Sequence, residues 1–302
     1  MSPIVPSLDA EPPFVSVVVP VFNQSTVLTK CLQALEEQKY SQDRYEVVVV
    51  DNGSSSSVEP LVRRYPHARA AFESRPGSYA ARNTGVSLAH GQILAFTDAD
   101  CLPAPDWIER GVAALRANPA CGLVGGAIEV FHAGPRPTWV ELWDCTRGLQ
   151  QKRYVQSGGY AATANAFTFK HVFDAVGPFD AAMKSSGDVE WGRRAGAKGY
   201  RAIYAPDAHV RHPARATFGQ VGRKMLRLAG GKHDLRRHPH AQPREVNPWI
   251  RDFLGELIEI LFHDPRLPTA GARIKVASVV VFIESVKGCE RLRLRIGGTP
   301  RR

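Results

Sequence analysis

Long hydrophobic runs are missing from this chain. None approaches the ~20 residues that a helix needs to cross a bilayer; the longest candidate, Val276 to Ile283, is far too short. The first residues, MSPIVPSLDAEPPF, are rich in proline and acid and lack both a basic start and a long apolar stretch, so no signal peptide is expected. Cysteine is scarce and scattered: Cys31, Cys101, Cys121, Cys145 and Cys289, with no C-x-x-C pair. An odd count at wide spacing argues against a disulfide framework or a zinc site and fits a reducing cytosol, so a cytoplasmic location is expected. No internal repeat is present.

What is there begins with size and charge. At 302 residues the chain can build one large domain, or one domain with an appendage. The formal charge is +10, and it is uneven. Arg211 to Arg244 holds nine Lys/Arg against one acid, Asp234, and Ala270 to the end holds eight against Glu284 and Glu290. Such a basic end suits an anionic partner, or serves solubility alone.

The first 130 residues alternate apolar runs with helical patterns. Val15 to Val19, Val47 to Val50, Ala68 to Phe72 and Ile93 to Phe96 read as strands, and Gly122 to Val130 resumes strand. Between them, helices are predicted from Ser25, from Ser57, over Ser78 to Ala89, and from Pro105 to Asn118. Unbroken β-branched strands alternating with helices give an α/β fold, a mostly parallel central sheet with helices on both faces. Farther on the pattern loosens. Trp139 to Tyr154 is a mixed helix or loop, Tyr160 to Lys170 an irregular strand, Asp188 to Lys198 a helix and Arg201 to Tyr204 a short strand. From Thr217 the pattern is helical again.

Ligands of parallel sheets bind outside the carboxyl ends of the strands. Here strand one ends in Pro20-Val21-Phe22-Asn23, strand two in Asp51-Asn52-Gly53-Ser54, and strand four in Thr97-Asp98-Ala99-Asp100-Cys101. Two aspartates one position apart on a turn can face one site and hold a hard cation, Mg2+ or Mn2+, whose other ligands come from water and substrate phosphates. Asp51 can accept hydrogen bonds from a nucleobase or ribose, and Arg82 can neutralise phosphate.

PVFNQ, VVVVDNGSS, AARNTG and FTDADC, in this order and spacing, resemble glycosyltransferase family 2 of the bacterial type: inverting enzymes with the GT-A nucleotide-diphospho-sugar transferase fold. The likeness continues through Gly177-Pro178-Phe179-Asp180, Gly187-Asp188-Val189-Glu190-Trp191 and the stretch from Tyr204 to His212, covering about two thirds of the chain. It implies a glycosyltransferase of hexosyltransferase type that moves a sugar from a nucleoside-diphosphate donor, UDP-sugar favoured over GDP-sugar, to a hydroxyl of a carbohydrate or lipid-linked acceptor. Pro20, Val21, Phe22, Asn23, Asp51, Arg82, Asp98 and Ala99 are then expected at the donor, and Asp100, Asp98 and His212 at the metal. Asn165, Glu190 and Trp191 are expected on the acceptor side, where aromatic faces stack on sugars. Asp188 is the implied general base.

Each role has a plainer competitor. Asp188 can cap the helix it precedes; Asp51 can serve an Asx turn; Arg82 can form a salt bridge; His212 can be structural and Trp191 a core anchor. His209 and Cys101 read as structural. The chain also departs from the family twice. Asn52 stands where a second Asp is usual, which bears on nucleotide preference, and Gly187 stands where Glu is frequent, which bears on substrate selectivity.

The expected organisation is a disordered segment over residues 1–13, a catalytic domain over 14–215 (nucleotide-binding half 14–100, acceptor half 101–215) and a basic helical appendage over 216–302. In the appendage, Phe218, Val221, Met225 and Leu228 fall on one helical face opposite Arg223, Lys224 and Arg227. Trp249, Phe253, Leu257, Ile260 and Leu261 form a second apolar face opposite Asp252, Glu256 and Glu259. These faces suit either an anionic membrane surface, giving peripheral association with its inner face, or packing on the catalytic domain. A nucleotidyltransferase would be expected to carry a Gly-rich basic loop after strand one, where this chain has Pro20 to Asn23. A non-catalytic nucleic-acid binder leaves the polar strand ends without a purpose, and no nucleic-acid partner is expected.

Overall fold

Valine runs become strands that meet no water on either face. In the computed structural model, which describes residues 11–132, 134–238 and 249–300, the first elements are β1 (Val15–Val21), α1 (Ser25–Glu36), β2 (Tyr45–Asp51), α2 (Glu59–Val62), β3 (Ala68–Phe72), α3 (Ser78–Leu88) and β4 (Ile93–Thr97). There follow β5 (Leu102–Pro103), α4 (Trp107–Ala117), β6 (Cys121–Phe131), α5 (Trp139–Arg147), α6 (Gln151–Gly158), β7 (Asn165–Phe169), α7 (Lys170–Val176), α8 (Gly187–Ala197) and β8 (Arg201–Pro213). The last are α9 (Phe218–Arg237), α10 (Trp249–Ile258), a π-helical turn (Glu259–His263) and α11 (Ala270–Arg295). Residues 1–10 of the expected disordered segment lie outside the described residues.

One sheet runs in the order β3-β2-β1-β4-β7-β6-β8-β5. β3, β2, β1 and β4 are parallel; β7 is antiparallel to both β4 and β6, and β5 to β8. Val21 pairs with Asp51 and Val18 with Phe96, so the carboxyl ends of β1, β2 and β4 reach one edge together. α3 lies close on this sheet because residue 85 is glycine: a Cβ there would stand 2.4 Å from Val18 Cγ1.

The chain divides into two compact units. The first comprises Met1–Glu129, Gln150–Met183 and Gly187–His212. Its core includes Val17, Val19, Leu32, Val49, Ile108 and Phe167. The second comprises Val130–Leu149, Lys184–Ser186 and Pro213–Arg302. A boundary at 215/216 is therefore too simple. α5 belongs with the C-terminal helices because Val140 and Trp143 are buried in one cluster with Val221, Met225, Ile260, Val276 and Val280.

That cluster also corrects the expectation for the appendage. Val221 and Met225 of α9 are buried, and Leu228, Phe253, Leu257 and Leu261 pack against them. Apart from Phe218, which is exposed, the described residues of the apolar faces expected for a membrane line the inside of the second unit. Lys224, expected on the outer face of α9, is turned inward as well. Its Nζ lies 3.7 Å from Asp144 Oδ1 and 5.9 Å from the Trp143 ring centre, and burial lowers its pKa to about 8. The side chains of Trp249 and Asp252 lie outside the described residues. Arg201 to Tyr204 is the start of a longer strand, β8, whose residues from Ala208 to His212 alternate between buried and more exposed.

Candidate active site

The loops after β1 and β2 are stitched together by their own side chains. Asn23, with a positive φ of 54°, donates its backbone N–H to Ser54 Oγ at 2.8 Å and accepts the N–H of Ser55 on Oδ1 at 2.8 Å. Asp51 is buried at the tip of β2 and accepts the N–H of Ser54 at 2.9 Å, the turn role foreseen as its alternative. Val21 is buried and Phe22 is exposed.

Asn52 shows why the second Asp of the family pattern is absent. Its Nδ2 donates to the carbonyls of Glu73, at 3.0 Å, and Arg75, at 2.7 Å. Its Oδ1 accepts the N–H of Gly77 at 2.7 Å. A carboxylate accepts only, so aspartate could not make the first two bonds. Beside this staple, hydrogen bonds from Arg75 and Thr84 hold the Glu73 carboxyl down to about 2.

The turn after β4 carries Asp98, Ala99 and Asp100. Ligand atoms of Asp98, Asp100, Cys101 and His212 all lie within 4.8 Å of one another, and His212 Nε2 is 3.7 Å from Asp100 Oδ1. Two carboxylates and an imidazole form a donor set suited to a divalent cation. Cys101 Sγ lies among these atoms; burial, with the charges of Asp98 and Asp100, pushes its thiol well above the usual range. His209 stands apart, 3.3 Å from Glu129.

Arg82 differs from expectation. Its guanidinium is buried and bonded to Asp98, so it neutralises a carboxylate of the site instead of standing open to phosphate. Its Nε has no hydrogen-bond partner among the described residues.

Asp188 lies in the first turn of α8. Its Oδ1 accepts from Val189 N–H at 2.9 Å and from Tyr79 Oη at 3.3 Å, and its own N–H donates to Tyr79 Oη at 3.3 Å. Burial raises its pKa; the Val189 N–H, the charge of Arg82 and the Tyr79 hydroxyl oppose that rise. A cavity of about 10 Å³ adjoins it, lined by Phe96, Ala166, Phe179 and Trp191 among others, room for one water at most. Gly187 is required beside it, because a Cβ there would stand 2.7 to 2.9 Å from three atoms of the Tyr79 ring. Glutamate at 187 and tyrosine at 79 cannot share this arrangement.

The three residues expected on the acceptor side are interior. Asn165 is fully buried; it accepts from Trp107 Nε1 and donates to the carbonyls of Ala127 and Ala208, each at 2.8 Å. Glu190 is buried under a two-pronged ion pair with Arg194, at 2.6 and 2.9 Å. Trp191 is buried, donates to Gly177 O at 2.9 Å and stacks on Phe173 at 5.7 Å. Their side chains hold the fold together and offer no open face to a sugar. Tyr79 was missed by the sequence reading, and its only signal was a place at the start of a helix.

Comparison with known proteins gives a consistent set of likenesses. The family model for glycosyl transferase family 2 matches residues 16–184. Glycosyltransferase AglE of Haloferax volcanii is 39% identical over 225 residues, 73% of each chain. A mannosyltransferase from Pyrobaculum calidifontis, solved with GDP-Man and Mn2+, superposes with a TM-score of 0.63 at 22% identity, over 94% of this chain and 90% of its own. S. aureus TarS 1-349, solved with UDP, gives a TM-score of 0.52 at 15% identity over 95% and 93%. At such identities the two structures speak to the fold, and both share its α/β architecture.

Proposed function

The chain belongs to glycosyl transferase family 2 and is a glycosyltransferase, and from that premise we propose that it is a metal-dependent, inverting enzyme acting on a nucleoside-diphosphate sugar. The observation that carries this reading is the gathering of Asp98, Asp100 and His212, from two separate strand ends, into one cluster of ligand atoms. These three residues would hold Mg2+ or Mn2+. When bound, the cation supplies positive charge where the departing diphosphate gathers negative charge.

The remaining work falls to the protein. Asp51 and the β1 end, Pro20 to Asn23, receive the base and ribose, with Ala99 beside the donor. Arg82 fixes the Asp98 carboxylate and limits the negative charge of an otherwise acidic turn. Asp188 takes the proton of the acceptor hydroxyl as that oxygen attacks the anomeric carbon and the bond to the diphosphate breaks. Its raised pKa supports this role, since a more basic carboxylate accepts a proton more readily at neutral pH. The donor is a UDP-sugar or, second, a GDP-sugar. The acceptor is a carbohydrate or a lipid-linked glycan, and the latter would bring the chain to a membrane surface.

The test is a thermal-shift screen of UDP, GDP and their sugars with and without Mn2+, followed by the anomeric configuration of the product. A nucleotide that raises the melting temperature only with the cation supports the reading; absence of any nucleotide response, or a retained configuration, overturns it.

A further inference from the structure

The net charge of the protein resides in its second unit, which carries 21 Lys/Arg against 10 Asp/Glu, while the first unit carries 18 against 19. Among the described residues, the same unit displays most of the large apolar side chains that reach solvent. Leu254 and Ile258 of α10 and Phe262 of the π-helical turn follow one another at four-residue steps and are 50%, 53% and 66% exposed. Arg273 donates to the carbonyls of Leu261, at 3.1 Å, and Phe262, at 3.4 Å. This ties the start of α11, where Ile274 is 59% exposed, to the turn bearing Phe262. Lys275 lies 6.0 Å from the ring of Trp139, itself 46% exposed.

Five apolar side chains therefore surface around the junction of α10, the π-helical turn and α11, although their helices also bury a full core on the other side. Water gives no reason for this arrangement, since each helix already has its inward face. Of the described acids of this stretch, Glu259 and Asp264 are paired with Arg147 at 3.2 and 2.8 Å and burial raises the pKa of Glu256, whereas Lys275 lies near the Trp139 ring and the exposed Arg136 precedes Trp139 in the chain. Apolar side chains bounded by cations and an exposed tryptophan match the interface of an anionic bilayer, where rings and aliphatic tips enter the headgroup region and lysine or arginine meets lipid phosphate.

We propose that the second unit docks on an anionic lipid surface through Leu254, Ile258, Phe262, Ile274 and Trp139. The proposal touches the catalytic reading only in the nature of the acceptor. Vesicle binding is measured without donor or acceptor, so the two fail separately.

The experiment is flotation of the full chain with vesicles of phosphatidylcholine alone and of phosphatidylcholine mixed with phosphatidylglycerol. The wild type should float with the mixed vesicles and be released as salt is raised. Ile258→Ser/Phe262→Ser/Ile274→Ser should lower partitioning by roughly tenfold or more while keeping the melting temperature. Arg136→Gln/Lys275→Gln, which leaves every apolar residue in place, should weaken binding to the mixed vesicles alone. The proposal is overturned if the wild type stays with the soluble fraction at low salt or if both variants float as it does. It is overturned equally if sedimentation shows a wild-type dimer that the triple serine variant disperses, which would assign the face to a second copy of the chain.

Discussion

The hydroxyl of Tyr79 meets Asp188 twice, at the carboxylate and at the backbone nitrogen, each at 3.3 Å. Burial and the neighbouring Asp188 charge push the phenol up, so it stays protonated and donates to the carboxylate. A single side chain thus contributes to both the position and the basicity of the residue proposed to take the acceptor proton, whose pKa is raised chiefly by burial.

Tyr79→Phe keeps the ring and deletes this contact. The Tyr79 hydrogen bond is among the effects that lower the Asp188 pKa, so its loss should raise that pKa further. The acid limb of kcat against pH should then move to higher pH. Stability should fall by about 1 kcal/mol, the typical worth of one hydrogen bond. A variant with reduced kcat and an unmoved acid limb would remove Tyr79 from this role.

Gly187→Ala tests the space for the same ring. The added Cβ would approach the Tyr79 ring to 2.7 Å, and overpacking of this kind costs about 1–3 kcal/mol. In a Tyr79→Ala background the cost should largely vanish, because the two changes share one contact. Urea unfolding of the four proteins of this cycle measures the coupling; additive effects would mean that the ring and residue 187 do not constrain each other.

The parallel half of the sheet and the strand-end turns were legible because β-branched runs and Asp-containing turns are local patterns. Asn52 and Gly187 were legible only as departures from a family. Their reason, an amide that must donate as well as accept and a glycine that admits a ring from α3, depends on partners that lie far off in sequence. Asn165, Glu190 and Trp191 misled for the same cause. A polar or amphipathic residue inside a functional motif reads as a ligand contact until its buried partners are seen, here Trp107, Arg194 and Gly177. The C-terminal helices left two readings open because amphipathicity shows that a face is apolar and not what covers it. Met225 turned out to face Val280 and its neighbours.

Asp188→Asn should separate stability from activity. The folded-state pKa of Asp188 is raised above its ordinary value, chiefly by burial. The favourable contribution of the neutral acid is therefore complete below the unfolded pKa and lost as pH rises through the folded pKa. Above that pKa the ionised side chain works against the fold, and a neutral amide that still accepts from Val189 does not. The variant should melt higher than wild type near neutrality and lose that advantage in acid. It should keep donor binding and lose transfer by about 10²–10⁴-fold, the usual worth of a general base. Transfer at the wild-type rate would exclude Asp188 as the base.

Asp100→Ala removes one carboxylate from the cluster with Asp98 and His212. Nucleotide-induced thermal stabilisation should lose its dependence on Mn2+, because two remaining donors hold a divalent cation much less well. A cation response of wild-type size would place the metal elsewhere.

Lys224 offers a test within the second unit alone. Burial holds its pKa down to about 8 against an ordinary 10.5, and its Nζ has no hydrogen-bond partner among the described residues. Between these two values the unfolded chain binds more protons than the folded one, so this side chain makes stability rise with pH across that window and works against the fold below it. Asp144, also buried, keeps the Arg215 backbone N–H at 2.9 Å and the Arg215 guanidinium at 3.0 Å without it. Lys224→Met, which retains the stem and discards the ammonium, should therefore raise the melting temperature at neutral pH, and the gain should shrink toward about pH 10. A variant that melts lower than wild type throughout would show that the ammonium, even at 3.7 Å from Asp144, stabilises that carboxylate by more than its own burial costs.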